Sequence, residues 1–265
     1  MSPASPFTRM WARSVNHGSE GEEITTGDRP NDSAIYLYHA NLRQTGWWKL
    51  VRLLSAEERR RAGAFAFERD ARRFTVSHAV LRALLGHATG IPPGELSFQR
   101  EPGLKPVLEA STPQPIHFSL SRSEELVLIG LAWRPLGVDI EWLGKTVDTE
   151  ALGDFVLSDR EREAFRGLDP SDRQRAFLQC WTQKEAYLKA IGQGLYVSPA
   201  SVEVCFGPGE VAGLKSVAGD SRAAARWFVD LVELPEGYIG AVAILGDRRQ
   251  VQLSAFDTSS LLVRA

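Results

Sequence analysis

Two acids stand two residues apart in PLGVDIEWLG, at Asp139 and Glu141. A third, Glu185, lies in WTQKEAYLKA, with Lys189 four residues after it. Side chains alternate along an extended segment, so Asp139 and Glu141 share one face while Val138 and Ile140 turn into packing. Gly137 leaves room beside the acids. Neighbouring carboxylates repel unless a proton or cation separates them, and hard oxygen donors suit Mg2+. The same pair also reads as the solvated acidic end of a strand. Glu185 is one helical turn from both Trp181 and Lys189, at the edge of a packed face. It reads equally as a third carboxylate for metal or proton transfer and as an exposed Glu–Lys pair worth about 0.2–0.5 kcal/mol.

The elements that must position these groups are legible around them. AIYLYHANL (34–42) reads as a first strand. Ser55 with Glu58 has capping-box spacing, with a helix following, and a second helix is expected over about 70–85 on Phe74, Ala79, Leu81 and Leu85. Downstream, Ser171 with Gln174 has the same spacing, so a helix is expected from Ser171 to near Gly192, with an apolar stripe at 177, 181 and 188. Leu54-Ser55, Phe74 and Leu85 each recur 103 residues later, as Leu157-Ser158, Phe177 and Leu188. A shared offset in three places indicates internal duplication. Each half ends in an apolar strand candidate, ELVLIGLAW (125–133) and GYIGAVAIL (237–245). No glycine-rich phosphate loop follows the first strand, which favours an α+β arrangement of two similar subdomains over one doubly wound sheet. A cleft between similar halves is a common ligand site.

The chain has 265 residues, 43% hydrophobic and 24% charged, with a formal net charge of -2. That balance points to neither a nucleic-acid binder nor a membrane-surface protein. Cys180 and Cys205 lack metal-ligand spacing and read as buried free thiols. Residues 1–33 read as a flexible N-terminal extension without a secretory signal. No run of about 20 apolar residues occurs, so a cytoplasmic enzyme is expected. The histidines offer no competing catalyst. His78 falls inside a helix pattern, His117 precedes a strand, and no two form a close metal-binding pair. Ser121 and Ser123 lack a nucleophile-elbow context.

Gly137-Val-Asp-Ile-Glu141, followed by Trp181-Thr-Gln-Lys-Glu185-Ala-Tyr-Leu-Lys189-Ala with Gly192 and Gly194, resembles the two signatures of the 4'-phosphopantetheinyl transferase superfamily, in the family's order. The long N-terminal half is similar to the surfactin-type branch, which is monomeric with two similar subdomains in one chain. The resemblance covers about residues 34–245. It implies a pseudo-dimeric fold: an N-terminal subdomain over 34–133 with the coenzyme phosphate contacts, a C-terminal subdomain over 134–250 with the metal and catalytic motifs, and a C-terminal tail over 251–265. It further implies Mg2+ on Asp139, Glu141 and Glu185, catalysis by Glu185, Lys189 and Asp139, and coenzyme A as donor. Arg69 and Arg73, in FERDARRF, resemble the family's basic residues at the nucleotide phosphates. Lys105-Pro106 resembles its Gly-Lys-Pro segment, with Leu104 intervening after Gly103. Ser119-Leu-Ser121-Arg122-Ser123 resembles a stretch usually reading Asn-Leu-Ser-His-Ser, so Arg122 stands where the family has histidine. Ser121 is placed beside the coenzyme, and Lys184 near phosphate. The implied acceptor is an apo acyl or peptidyl carrier protein of fatty-acid, polyketide or nonribosomal-peptide synthesis, met by the segment between Glu141 and Asp172. No nucleic-acid or membrane partner is implied. A different Mg2+ phosphoryl-transfer enzyme, or a noncatalytic carrier-binding relative, is the competing reading.

Overall fold

Ser55 and Ser158 open corresponding helices in the same way. In helix α1 (Ala56–Gly63), Glu58 N–H donates to Ser55 Oγ at 3.2 Å and Ser55 N–H donates to the Glu58 carboxylate at 2.9 Å. In α4 (Asp159–Arg166), Ser158 and Glu161 repeat both bonds at 3.3 and 2.8 Å. The chain is shown by a computed structural model that describes residues 34–99, 101–110, 112, 114–192 and 197–262. The expected extension 1–33, Gly194 and the end of the expected tail, 263–265, lie outside the described residues.

Each capped helix leads into a 22-residue helix, α2 (Glu68–Thr89) or α5 (Pro170–Ile191). Both long helices stop at a left-handed glycine, Gly90 or Gly192, a conformation that costs glycine no Cβ clash. The start of α5 differs from the expected capping box. Pro170 takes the first helical position, where its missing N–H costs nothing, and Asp169 precedes it without a side-chain cap. Gln174 instead donates to the Leu143 carbonyl at 2.6 Å.

The strands repeat the duplication. One sheet has the order β11 (Gln250–Ala255), β1 (Ala34–Asn41), β5 (Leu126–Ala132), β4 (His117–Ser123). The other has the order β6 (Leu136–Trp142), β10 (Tyr238–Leu245), β9 (Trp227–Val232). In each half the first strand pairs antiparallel with the last, and the last with the one before it. A two-stranded ribbon completes each half: β2 (Ser97–Gln99) with β3 (Val107–Glu109), and β7 (Val202–Val204) with β8 (Leu214–Val217). Each half has its own helix-on-sheet core, around Phe74, Val80 and Leu84 in the first and Phe177, Cys180 and Ala186 in the second. A third apolar cluster, including Leu37, Leu128, Val138 and Val242, joins the two sheets. The mixed helix and sheet architecture is the expected α+β class. Among the described residues no helix is long and apolar enough to cross a membrane.

The segment after residue 250 is not a tail where it is described. β11 returns to the first sheet and runs parallel to β1 in register from Ala34–Gln250 to His39–Ala255. Phe256 and Leu261 then bury themselves in the first half's core. An edge strand with modest alternation satisfies the free hydrogen-bonding side of β1, and only the fold shows that this side was open.

Candidate active site

Strand β4 lies along β6 at the seam between the halves, and its alternation sorts the site. Ser119, Ser121 and Ser123 all turn toward β6. Ser119 Oγ accepts the Val138 N–H at 3.1 Å, Ser121 Oγ donates to Asp139 Oδ1 at 2.7 Å, and Ser123 Oγ donates to Glu141 Oε2 at 3.0 Å. Phe118, Leu120 and Arg122 occupy the other face, toward α2.

Helix α5 brings the remaining groups to β6. A Cβ on Gly137 would lie 2.0 Å from the Ala186 carbonyl oxygen and 2.5 Å from Ala190 N. The glycine is there so that the helix backbone can lie directly on the strand, which corrects the reading that it makes room for the acids. Lys189 Nζ donates to Asp139 Oδ1 at 2.5 Å and to Ser121 Oγ at 3.0 Å. Asp139 is only 4% exposed, and its Oδ2 is buried without a hydrogen-bond partner. Burial raises the Glu185 carboxyl above the usual carboxylate range, as do the charges of Asp139 and Glu141, while Lys189 opposes them.

These groups face a cavity of about 880 Å³ lined from both halves. Glu185, Lys189 and Trp181 come from α5. Ser121 and Arg122 come from β4, and Lys105 from the segment between β2 and β3. Lys105 Nζ donates to the Leu136 carbonyl at 2.6 Å, and burial with the nearby Lys189 charge holds its pKa down to about 7. Phe98, Leu104, Phe118, Leu120 and Phe155 make most of the remaining wall apolar. Asp139 reaches the cavity through Ser121 and Lys189.

The donor set fits a small divalent cation in its chemistry: an orphaned carboxylate oxygen on Asp139, a hydroxyl-oriented Glu141, and a Glu185 that feels both charges. Among the described residues, no three such side chains already close into a metal cage. Lys189 is the cation that now neutralises Asp139.

Three expected phosphate contacts are placed elsewhere. Lys184 is fully buried and donates to Glu161 at 2.5 Å, Val156 O at 2.6 Å and Pro199 O at 3.1 Å. Its counterpart in the first half is Arg82, which donates to Glu58, Pro93 O and Leu96 O. Both cations neutralise the buried acid of a capping box, at corresponding places in the two halves. Arg73 is taken by Glu124 and Glu125 at 2.6 and 2.8 Å, and Arg72 by Glu125 at 3.1 Å. Arg69 is 59% exposed and pairs with Asp70. In their place the cavity presents Arg61, Phe74 and His78. The signal for Arg61 was available: it is three residues after Glu58, so it shares the inward face of α1.

Likeness to known proteins runs through both halves. The model of the 4'-phosphopantetheinyl transferase superfamily matches residues 135–243, and that of the 4'-phosphopantetheinyl transferase N-terminal region matches residues 41–134. The 4'-phosphopantetheinyl transferase HetI of Nostoc sp. is 35% identical over 201 residues, 74% of this chain and 81% of that protein. The 4'-phosphopantetheinyl transferase psf-1 of Bacillus pumilus is 31% identical over 148 residues, 56% of this chain and 61% of that protein. The human L-aminoadipate-semialdehyde dehydrogenase-phosphopantetheinyl transferase is 27% identical over 215 residues, 75% of this chain and 69% of that protein. An identity of 35% carried over four-fifths of a relative's length, across the seam that holds the acids, decides the family: the chain belongs to the 4'-phosphopantetheinyl transferase superfamily.

Proposed function

We propose that the protein transfers the 4'-phosphopantetheine group of coenzyme A to a serine of an apo acyl or peptidyl carrier protein, releasing adenosine 3',5'-bisphosphate. The observation that carries this reading is one cavity in which Glu185 and Lys189 meet Lys105, Ser121 and Arg122 from the other half. Glu185, with its raised proton affinity, takes the proton of the carrier serine as its oxygen bonds to the β-phosphorus of the coenzyme. The pyrophosphate P–O bond breaks on the opposite side, and Lys189 balances the charge of the leaving phosphate. Lys105 supplies a second positive charge once the phosphates are bound. Arg61 and Arg122 hold the nucleotide's other phosphate.

Asp139 and Glu141, joined by Glu185, are the residues we assign to Mg2+. When bound, the ion would polarise the pyrophosphate oxygens. Trp142, Leu152 and Phe155 are exposed apolar side chains in the segment expected to meet the carrier, and Phe155 also lines the cavity. We read the working unit as a monomer in the cytoplasm, since one chain supplies both halves of the cleft.

The test is incubation with coenzyme A, Mg2+ and a panel of apo carriers from fatty-acid, polyketide and nonribosomal-peptide synthesis. Intact-mass measurement should show the gain of one phosphopantetheine group on at least one carrier. A panel left wholly unmodified would overturn the assignment.

A further inference from the structure

The residues assigned to Mg2+ all belong to the second half, yet two of them are held by the first. Strand β4 does not extend the backbone ladder of β6. Its inward serines take that place: Ser119 Oγ accepts the Val138 N–H at 3.1 Å and Ser123 Oγ accepts the Trp142 N–H at 3.0 Å. A backbone N–H left unpaired at the seam costs stability, which by itself explains a hydroxyl at both positions. It does not explain the second bond of Ser123, which gives its own proton to Glu141 Oε2 at 3.0 Å. Among the described residues, Ser119 makes no such bond to an acid.

The two acids of GVDIE are held differently. Asp139 is neutralised by Lys189 and bonded by Ser121. Among the described residues no cation pairs with Glu141, and Ser123 is its hydrogen-bond partner. Ser123 is itself fixed. It is the last residue of β4 and pairs with Leu126 across the turn Glu124–Glu125. Glu124 takes a left-handed φ of 47°, a conformation that costs a residue with a Cβ. The turn is clamped from α2: Arg73 bonds both of its acids, and Arg72 bonds Glu125 and the Leu42 carbonyl. These arginines do not line the cavity, but they hold the strand end that holds Glu141.

We propose that Ser123 is a positioning residue for the metal: it orients the Glu141 carboxylate, so that the first half sets the metal affinity of a site whose ligands come from the second. The inference rests on the Mg2+ assignment above. With Oε2 engaged by Ser123, Oε1 is the oxygen of Glu141 left for the cation. A ligand carboxylate that is itself hydrogen-bonded has its direction fixed before the ion arrives, and losing such an outer partner weakens metal binding by about 10- to 100-fold.

The experiment is titration of the full chain with Mn2+, which takes the same oxygen donors as Mg2+, with and without saturating coenzyme A, reading the free ion by electron paramagnetic resonance. Ser123→Ala should weaken Mn2+ binding about tenfold, while its coenzyme affinity in EDTA stays at the wild-type value. Ser123→Thr, which keeps the hydroxyl, should bind Mn2+ as the wild type does. Ser119→Ala removes the same kind of seam bond without an acid, so it should lower the melting temperature and leave Mn2+ affinity unchanged. In a Glu141→Gln background, adding Ser123→Ala should cost no further Mn2+ affinity. Wild-type Mn2+ affinity in Ser123→Ala would overturn the inference. So would an equal loss in Ser119→Ala, a Ser123→Thr protein as weak as the alanine variant, or a full additional loss in the Glu141→Gln background. Where Ser123→Ala does not fold, Ser123→Cys, similar in size but a weak donor, takes its place with the same expected loss. A wild type that binds Mn2+ while Ser123→Ala matches it refutes this inference alone, whereas a wild type that binds no Mn2+ in either condition refutes the metal assignment and the inference with it.

Discussion

Asp139 engages one carboxylate oxygen with Lys189 and Ser121 and leaves the other buried and unpartnered. An unsatisfied buried oxygen costs stability, and this one belongs to a residue we assign to Mg2+. Glu185 shows the same conflict. Its folded form binds a proton more tightly than the unfolded chain does, because burial and its acidic neighbours disfavour the charge. Stability therefore falls as pH rises from the unfolded value through the raised folded one. Glu185→Gln should melt above the wild type at pH 8 in EDTA, and the difference should close toward pH 5. Its transfer rate should fall by about 10²-fold or more, as expected for a lost general base. Thermal melts across pH, set beside the transfer assay, check both halves of this statement. Arg122 was read as a coenzyme contact from its place in SLSRS, and the fold adds what that stretch alone leaves out: the ring it lies over and the second arginine beside it.

The helices act as the positioning elements. Each capping-box glutamate is buried, and each is neutralised by a cation from the long helix that follows, Arg82 on Glu58 and Lys184 on Glu161. Removing one member of such a pair leaves a buried charge uncompensated, at a cost of about 3–5 kcal/mol. Lys184→Ala should therefore lower the unfolding free energy by that amount while leaving coenzyme affinity unchanged in the folded protein. Urea unfolding and calorimetry separate the two. A phosphate role for Lys184 would give the reverse pattern. Arg73 meets acids rather than the cavity for a related reason. A basic run in sequence does not say which arginines have acids waiting on another element, and here the β4–β5 turn supplies Glu124 and Glu125 from about fifty residues away.

At the scale of the molecule, two half-folds share a third apolar core, and the C-terminal strand binds them further by crossing back to β1. Ending the chain at Arg249 removes β11 with Phe256 and Leu261, so the melting temperature should fall by about 10 °C or more. A truncated protein melting with the full chain would show that β1 does not need its outer partner. Much was legible beforehand. The duplication showed in the 103-residue offset, the first-half helices in Ser55–Glu58 and the Phe74–Leu85 stripe, and the acid pair in the alternation of GVDIE. These are local signals, since side-chain period and end capping depend on residues a few positions apart. The order of motifs added the family. Tertiary structure alone decided which charges meet. It matched Lys184 to Glu161 and Arg73 to the Glu124–Glu125 turn, set Gly137 under the backbone of α5, and left Arg61 and Arg122 unmatched over Phe74. Burial and ion pairing are set by distance in space, and residues such as Glu125 and Arg73 become neighbours only after the sheet and the helix have closed on each other.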